Sequence, residues 1–358
     1  MNNTAVKNKV LIVAPYQFGE LSDCYYWAKY LVVEGYEVTY FGYRYKYRRP
    51  LKRSLEGIRN IPIMRDQHKL LFIVVFMFKL WWEIIRNKHV NIIICRFPHA
   101  EIFPILFPKK NIVLDIRTLS VSPSSEVRKA NDLALQNMTK HFKACSYVSE
   151  GVRKAVNAPN KAYILPLGAE VISSSSKSFD SLKLLYIGTF INRNLDVFLR
   201  GLFKFKKTHN IDFTFDIIGG GSESDENQLR NLTKELGLNE VSFRGYLTHD
   251  EAKIYFDECN VGVSFVPITE YYDCQPPTKM YEYLLSGMAC IATDTKSSRE
   301  LINASTGVLI QDNIDSVCDG LCRIVHEKRH YHSETIRNLS NQYHWHTIIK
   351  KYLLPMFL

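Results

Sequence analysis

The sequence predicts an α/β chain of two doubly wound domains, each built on a parallel sheet. Three observations predict it. Residues 9–41 run strand, helix, strand, and the same pattern restarts at Leu182 after a serine-rich stretch. With 358 residues, 46% of them apolar and 23% charged, the chain is globular and long enough for two cores.

Lys9–Pro15 (KVLIVAP) is a continuous apolar run, the pattern of a strand buried on both faces. A loop carrying Gly19 leads to a helix over Ser22–Glu34, which Gly35 closes, and Tyr36–Phe41 forms a second strand. In such folds ligands sit beyond the carboxyl ends of the strands. Gly19 lies at that end, where a ligand approaching the backbone and an ordinary turn are equal alternatives.

The net charge of +10 is uneven: residues 1–170 hold 26 Lys and Arg against 13 Asp and Glu, the remainder 20 against 23. A partner drawn by positive charge therefore belongs to the N-terminal half. Residues 44–59 (RYKYRRPLKRSLEGIR) alone hold seven basic side chains among tyrosines. His68–His89 follows, with an apolar core over Leu70–Ile85 broken only by Lys79 and Glu83. That is too short and interrupted for a membrane span. With Trp81 and Trp82, and Lys69, Arg86 and Lys88 at its flanks, it fits a helix lying in the headgroup layer. A core helix with a wide apolar face is the alternative. No nucleic-acid motif accompanies the charge, so nucleic acid is not the expected partner.

Asn91–Cys95 and Asn111–Ile116 read as further parallel strands, placing Arg96, His99, Asp115 and Arg117 at strand ends. His99 and Arg117 are candidates for acceptor contact. Asp115, ending a buried strand, either pairs with Arg117 or faces substrate. A helix over Ser125–Phe142, a strand near Ala144–Val148 and a helix from Glu150 complete this half. Ser173–Ser178 (SSSSKS) reads as a flexible linker.

In the second half, Leu182–Gly188 is a strand, Thr189–Asn194 a loop and Leu195–Lys207 a helix. Phe213–Ile218 runs into Gly219-Gly220-Gly221, which fails the dinucleotide fingerprint because Ser224 stands where it needs glycine. Val261–Val266 is a buried strand that delivers the chain to Cys274–Gly287 (CQPPTKMYEYLLSG), read as loop, short helix and tight stop. Met280, Tyr283 and Leu284 share the inward face, while Lys279 and Glu282 lie one turn apart on another. A helix N-terminus beside a lysine suits a phosphate, and a carboxylate one turn on suits sugar hydroxyls. Taken alone, an ordinary solvated ion pair explains the same two residues. Tyr343–Leu354 is a terminal helix.

The ordered set LLYIGTF, FDIIGGG, VSFRGYL, VGVSFVP and PTKMYEYLLSGMACIAT resembles the nucleotide-sugar-binding domain of GT-B glycosyltransferases. It is most like family 4, which builds bacterial polysaccharides and glycolipids. ILPLGAE resembles that family's interdomain junction, and APYQFGE with LVVEGYEVTYF its acceptor domain. The resemblance implies a GT-B fold of two Rossmann-like doubly wound domains facing a cleft. The implied boundaries are an acceptor domain over 1–170, a linker over 171–181, a donor domain over 182–340, and a terminal helix over 341–358 packing back on the first domain.

The resemblance also implies roles. Glu282 matches the second of the family's two glutamates, which holds the ribose. The first falls on Cys274, a departure: either Glu270 or Asp273 substitutes in contact with the sugar, or the donor contact differs. Lys279 matches the family's lysine, and Arg193 is the nearest match to the basic residue after the first strand. Thr189 replaces the arginine usual after that strand's glycine. Arg244-Gly245-Tyr246 matches the loop that meets the base, largely through backbone, and Gly19, Gly219, Gly220 and Thr278 complete the implied donor contacts. Asp115 lies near where relatives face the reacting sugar.

These parts imply transfer from a UDP- or GDP-sugar to a lipid-linked or glycan acceptor, retaining, with the diphosphate helping to deprotonate the acceptor hydroxyl. Arg193, Lys279 and the helix start stabilise the leaving group, so no cofactor or metal is expected. Were the reaction inverting, Asp115 would be the first base to test. Eight cysteines without CxxC or His/Cys spacing suggest reduced thiols, and no secretory leader is read at the N-terminus. The expected location is therefore the cytoplasm, peripheral to the inner face of a bacterial membrane. A sugar-nucleotide epimerase of the same architecture, and a non-catalytic nucleotide-sugar-binding protein suggested by Cys274 and Thr189, are the rival readings.

Overall fold

The computed structural model describes residues 9–45, 54–65, 69–87, 91–122 and 124–357. Most of the basic run around residue 50, and Lys88, lie outside these. The chain divides into two units: Met1–Leu167 with Trp345–Leu358, and Gly168–His344.

The first unit is a parallel sheet of β1 (Lys9–Ala14), β2 (Glu37–Tyr45), β3 (Ile58–Arg65), β4 (Asn91–Cys95), β5 (Asn111–Ile116), β6 (Ala144–Tyr147) and β7 (Lys161–Ile164). Their order is β3-β2-β1-β4-β5-β6-β7. The helices are α1 (Ser22–Val33), α2 (Lys69–Asn87), α3 (Ile102–Leu106), α4 (Ser125–Thr139) and α5 (Glu150–Val156). Central β1 is buried from Val10 to Ala14, as its unbroken apolar run requires. Gly35, at φ 81°, closes α1 while Tyr36 N–H donates to the Leu31 carbonyl, the left-handed ending that a glycine permits. β3 was not anticipated, because Arg59, Asn60 and Pro62 interrupt its apolar residues. As the sheet edge it needs only one apolar face and tolerates Pro62.

The segment from Trp345 packs on α1: Trp345 stacks on Tyr26, His346 stacks on Tyr30, and His346 Nε2 lies 2.7 Å from Glu34 Oε1. It is a short helix that passes into a π turn and a 3-10 turn rather than one regular helix.

The second unit is a parallel sheet of β8 (Leu182–Thr189), β9 (Phe213–Gly220), β10 (Val241–Gly245), β11 (Val261–Ser264), β12 (Ala289–Thr293) and β13 (Gly307–Ile310). Its order is β10-β9-β8-β11-β12-β13. Its helices are α6 (Leu195–His209), α7 (Glu223–Glu235), α8 (His249–Glu258), α9 (Glu270–Asp273), α10 (Thr278–Leu285), α11 (Lys296–Arg299), α12 (Ile314–His326) and α13 (Ser333–Ser340).

The serine-rich segment read as a flexible linker is held in this unit. Ser173 Oγ donates to Asp257 Oδ1 at 2.6 Å, and the buried Lys177 ammonium donates to Ser173, Ser175 and the Phe256 and Asp257 carbonyls. A buried ammonium demands acceptors, and the flanking serines supply them. Composition alone does not reveal that partner.

Candidate active site

The site is built on α10. Its buried Met280, Tyr283 and Leu284 hold the helix to the sheet. Tyr283 Oη accepts from the Ile187 N–H of β8 at 2.8 Å, and a Cβ on Gly262 of β11 would overlap its ring. Gly287, at φ 74°, stops the helix. Pro277 is extended at the cap position, so Thr278 is the first helical residue, and no side chain caps this end. The first-turn N–H groups thus form a positive end suited to an anion.

Lys279 Nζ lies 2.8 Å from Glu282 Oε2, and His249 Nε2 lies 3.3 Å from Glu282 Oε1. Glu282 is only 8% exposed. Burial pushes its carboxyl up, but Lys279 and His249 outweigh that and hold it below the usual value. Glu282 is therefore an ionised acceptor in a sheltered place. His249 is fixed as the first residue of α8 by the capping box between Thr248 and Glu251.

Arg193 lies between Asn192 and Asn194, two left-handed residues that turn the chain sharply after β8. Its Nη1 donates to Tyr272 Oη at 2.6 Å, with the guanidinium 4.9 Å from the ring centroid. Tyr272 belongs to α9, in the segment that enters α10. The structure thus joins Lys279, Glu282 and His249 directly and ties Arg193 to their approach. His249 and Tyr272 were missed in the sequence. The capping box T-H-D-E was the available signal for the first, and nothing local signals the second.

Other expected residues fall differently. Gly219 and Gly220 end β9, and Gly219, at φ 129°, is required because a Cβ there would run into the Gly188 carbonyl. That close approach is to the neighbouring strand β8. The Arg244 side chain is turned to Asp216 at 2.7 Å and over the Tyr255 ring, while Tyr246 is 91% exposed. Asp273 is committed to α11: its carboxylate accepts from Lys296 N at 2.8 Å and pairs with Lys296 Nζ at 2.6 Å. Burial raises its carboxyl, yet Lys296 holds it below normal. Of the two proposed substitutes for the carboxylate missing at Cys274, exposed Glu270 is the one not bound into this cap. Burial raises the half-buried Cys274 thiol, so it stays protonated.

In the first unit, Gly19 makes a left-handed turn after β1. Asp115 and Arg117 lie together, the first of the two readings of Asp115. The Asp115 side chain is wholly buried, accepting from Ser146 Oγ at 2.7 Å with Arg117 Nη1 at 3.8 Å. Burial raises its carboxyl to about 6 despite Arg117 and Ser146. Arg117 donates to Asp23 at 2.7 Å and to the Leu165 carbonyl at 2.6 Å, and lies over the Trp27 ring. It braces β5 to α1 and β7. His99 is exposed and left-handed at φ 67°, a conformation that histidine adopts more readily than most residues other than glycine.

One face of α2 packs in the core and the opposite face is exposed. Phe72, Phe76, Leu80 and Ile84 are buried, and Phe76 packs against Phe41, Tyr43 and Phe97. Buried Glu83 takes two hydrogen bonds from Arg59, at 2.7 and 3.0 Å. Leu71, Val74, Phe78, Trp82 and Ile85 form an exposed apolar stripe, beside which Trp81 is half-buried. No described helix is long and apolar enough to cross a membrane.

Residues 181–327 match the family model described as Glycosyl transferases group 1. Among solved structures, a sucrose-phosphate synthase from Thermosynechococcus elongatus superposes with TM-score 0.75 at 12% identity, covering 96% of this chain and 97% of that one. A glycosyltransferase from Rickettsia africae gives 0.71 at 14% identity, covering 98% and 97%. HepE from Anabaena in complex with UDP-glucose gives 0.72 at 14% identity, covering 97% and 99%. No curated protein matches the chain by sequence. Two Rossmann-like units, with this matched domain as the second, give the chain a GT-B fold. Within that fold, residues 181–327, which match the glycosyl transferases group 1 family, fall in the second unit.

Proposed function

We propose that the chain moves a sugar from a UDP- or GDP-linked donor to a lipid-linked or glycan acceptor in bacterial surface polysaccharide synthesis, with retention. The observation that carries this reading is the Lys279–Glu282–His249 cluster at the open start of α10. Cleaving a glycosyl–diphosphate bond builds negative charge on the leaving group. Lys279, Arg193 and the first-turn N–H groups of α10 meet that charge, and an oriented cation is worth most where water is scarce. Lys279 exchanges Glu282 for the diphosphate, and Glu282, still held by His249, accepts from the ribose hydroxyls. The diphosphate itself then takes the acceptor proton. These groups supply the positive charge, so the reading calls for no metal in the reaction. HepE, solved with UDP-glucose, supports the donor class.

The exposed apolar stripe of α2, in the half with the positive charge, supports peripheral attachment to the inner face of the membrane. Thermal shift against a panel of nucleotide sugars, followed by turnover with candidate acceptors, tests the whole reading. A UDP- or GDP-sugar should stabilise the protein and release nucleotide only with acceptor. Release without acceptor would point to an epimerase, and binding without any turnover to a sensor.

A further inference from the structure

Away from that site, metal-ligating side chains gather where two helices of the second unit meet. At Gly201, α6 packs so closely on α12 that a Cβ would overlap Val317. Beyond this contact Cys318 and Cys322 lie one turn apart on α12, beside His209, the last residue of α6. The two sulfurs and an imidazole nitrogen lie within 4.8 Å of one another. Zinc binds sulfur at about 2.3 Å and nitrogen at about 2.0–2.1 Å, so tetrahedral ligand atoms stand about 3.5–3.8 Å apart. Rotating the side chains closes that gap, because His209 is exposed and Cys322 half-buried while Cys318 is fixed in the core.

We propose that His209, Cys318 and Cys322 bind a zinc ion that staples the end of α6 to α12, with water in the fourth position. Two thiolates and an imidazole select a borderline-soft ion over magnesium or calcium, which want oxygen ligands. On binding, each thiol gives its proton to solvent as its sulfur bonds the metal, and nothing is oxidised or reduced. Arg193 precedes the other end of α6, about 20 Å away along a 15-residue helix, so the ion takes no part in sugar transfer. The inference stands independently of the donor reading.

Cobalt titrated into the full chain tests it, since thiolate-bound tetrahedral Co²⁺ absorbs by charge transfer in the near ultraviolet. One Co²⁺ per chain should give that band, and zinc should displace it. Cys322→Ser and His209→Ala, both outside the core, should each weaken binding by at least ~100-fold, since even partners behind the ligands are worth 10–100-fold. Zinc should raise the melting temperature of the parent and not of either variant. No thiolate band, or a band or zinc-induced shift undiminished in both variants, overturns the proposal.

Discussion

Lys279 and Glu282 are joined at 2.8 Å across one turn of the helix that opens at Thr278, and His249 takes the other carboxylate oxygen at 3.3 Å. The pairing keeps Glu282 ionised under burial and holds Lys279 beside the helix start. Removing the lysine therefore costs catalysis more than stability. Lys279→Ala should lower kcat by about 10²–10³, the usual worth of one preorganised donor. Unfolding stability should fall by about 1–3 kcal/mol, since the buried Glu282 carboxylate then keeps only His249 as partner. Steady-state kinetics and denaturant melts measure the two effects separately.

Glu282 should act on the ribose. Glu282→Gln should weaken UDP or GDP by about 10–100-fold and a 2′,3′-dideoxy analogue much less, because a missing hydroxyl leaves nothing for the carboxylate to accept. His249→Ala should give a smaller loss in the same direction. A double-mutant cycle should show coupling of about 0.5–3 kcal/mol, as for groups in contact. Isothermal titration with both nucleotides decides it, and equal losses for both would remove the ribose role.

Arg193 is held by Tyr272 through a hydrogen bond and its ring face. Tyr272→Phe keeps the face and loses the bond, so kcat should fall by only about 3–10-fold, equivalent to a net hydrogen bond of about 1 kcal/mol. Arg193→Ala should cost about 10²–10³. Comparable losses in the two variants would mean that Tyr272, not Arg193, meets the substrate.

Asp115 should matter to stability and its pH dependence rather than to chemistry. Its carboxyl is raised to about 6 by burial, above the unfolded value of 3.8. Between these values the folded form retains a proton that the unfolded form has lost, so this group's contribution falls as pH rises through 4 to 6. Asp115→Asn removes that slope, and its stability relative to the parent should rise by about 3 kcal/mol from pH 3.5 to pH 7. The kcat should change by less than about 10-fold, against the ~10²–10⁴ expected of a general base.

The α2 stripe should bind anionic vesicles. Phe78→Ser with Trp82→Ser should weaken co-sedimentation with such liposomes while changing stability by no more than about 0.5 kcal/mol per site, as for exposed positions. Unchanged sedimentation removes the membrane contact.

Much of this architecture was legible because parallel strands announce themselves. KVLIVA and LKLLYIG are apolar on both faces, and Gly35 and Gly287 punctuate their helices where a left-handed residue is needed. Lys279 and Glu282 could be paired from the sequence, since one helical turn separates them. His249 could not be assigned to Glu282, nor Tyr272 to Arg193, because those contacts cross between elements whose packing no local pattern encodes. For Asp115 the sequence left two readings open for a related reason: a charge at a strand end reads alike whether it meets solvent or a buried partner such as Arg117.

By itself, then, the order of apolar runs and glycine stops determined two doubly wound units, and the ordered motifs of the second carried its resemblance to nucleotide-sugar-binding domains. Only the tertiary structure decided that the serines around Lys177 are anchored, that Arg117 is a brace, and that His209 meets Cys318 and Cys322. Periodicity reports how each residue faces its own element. Which side chain waits opposite depends on how the elements pack, and that is settled over the whole fold at once.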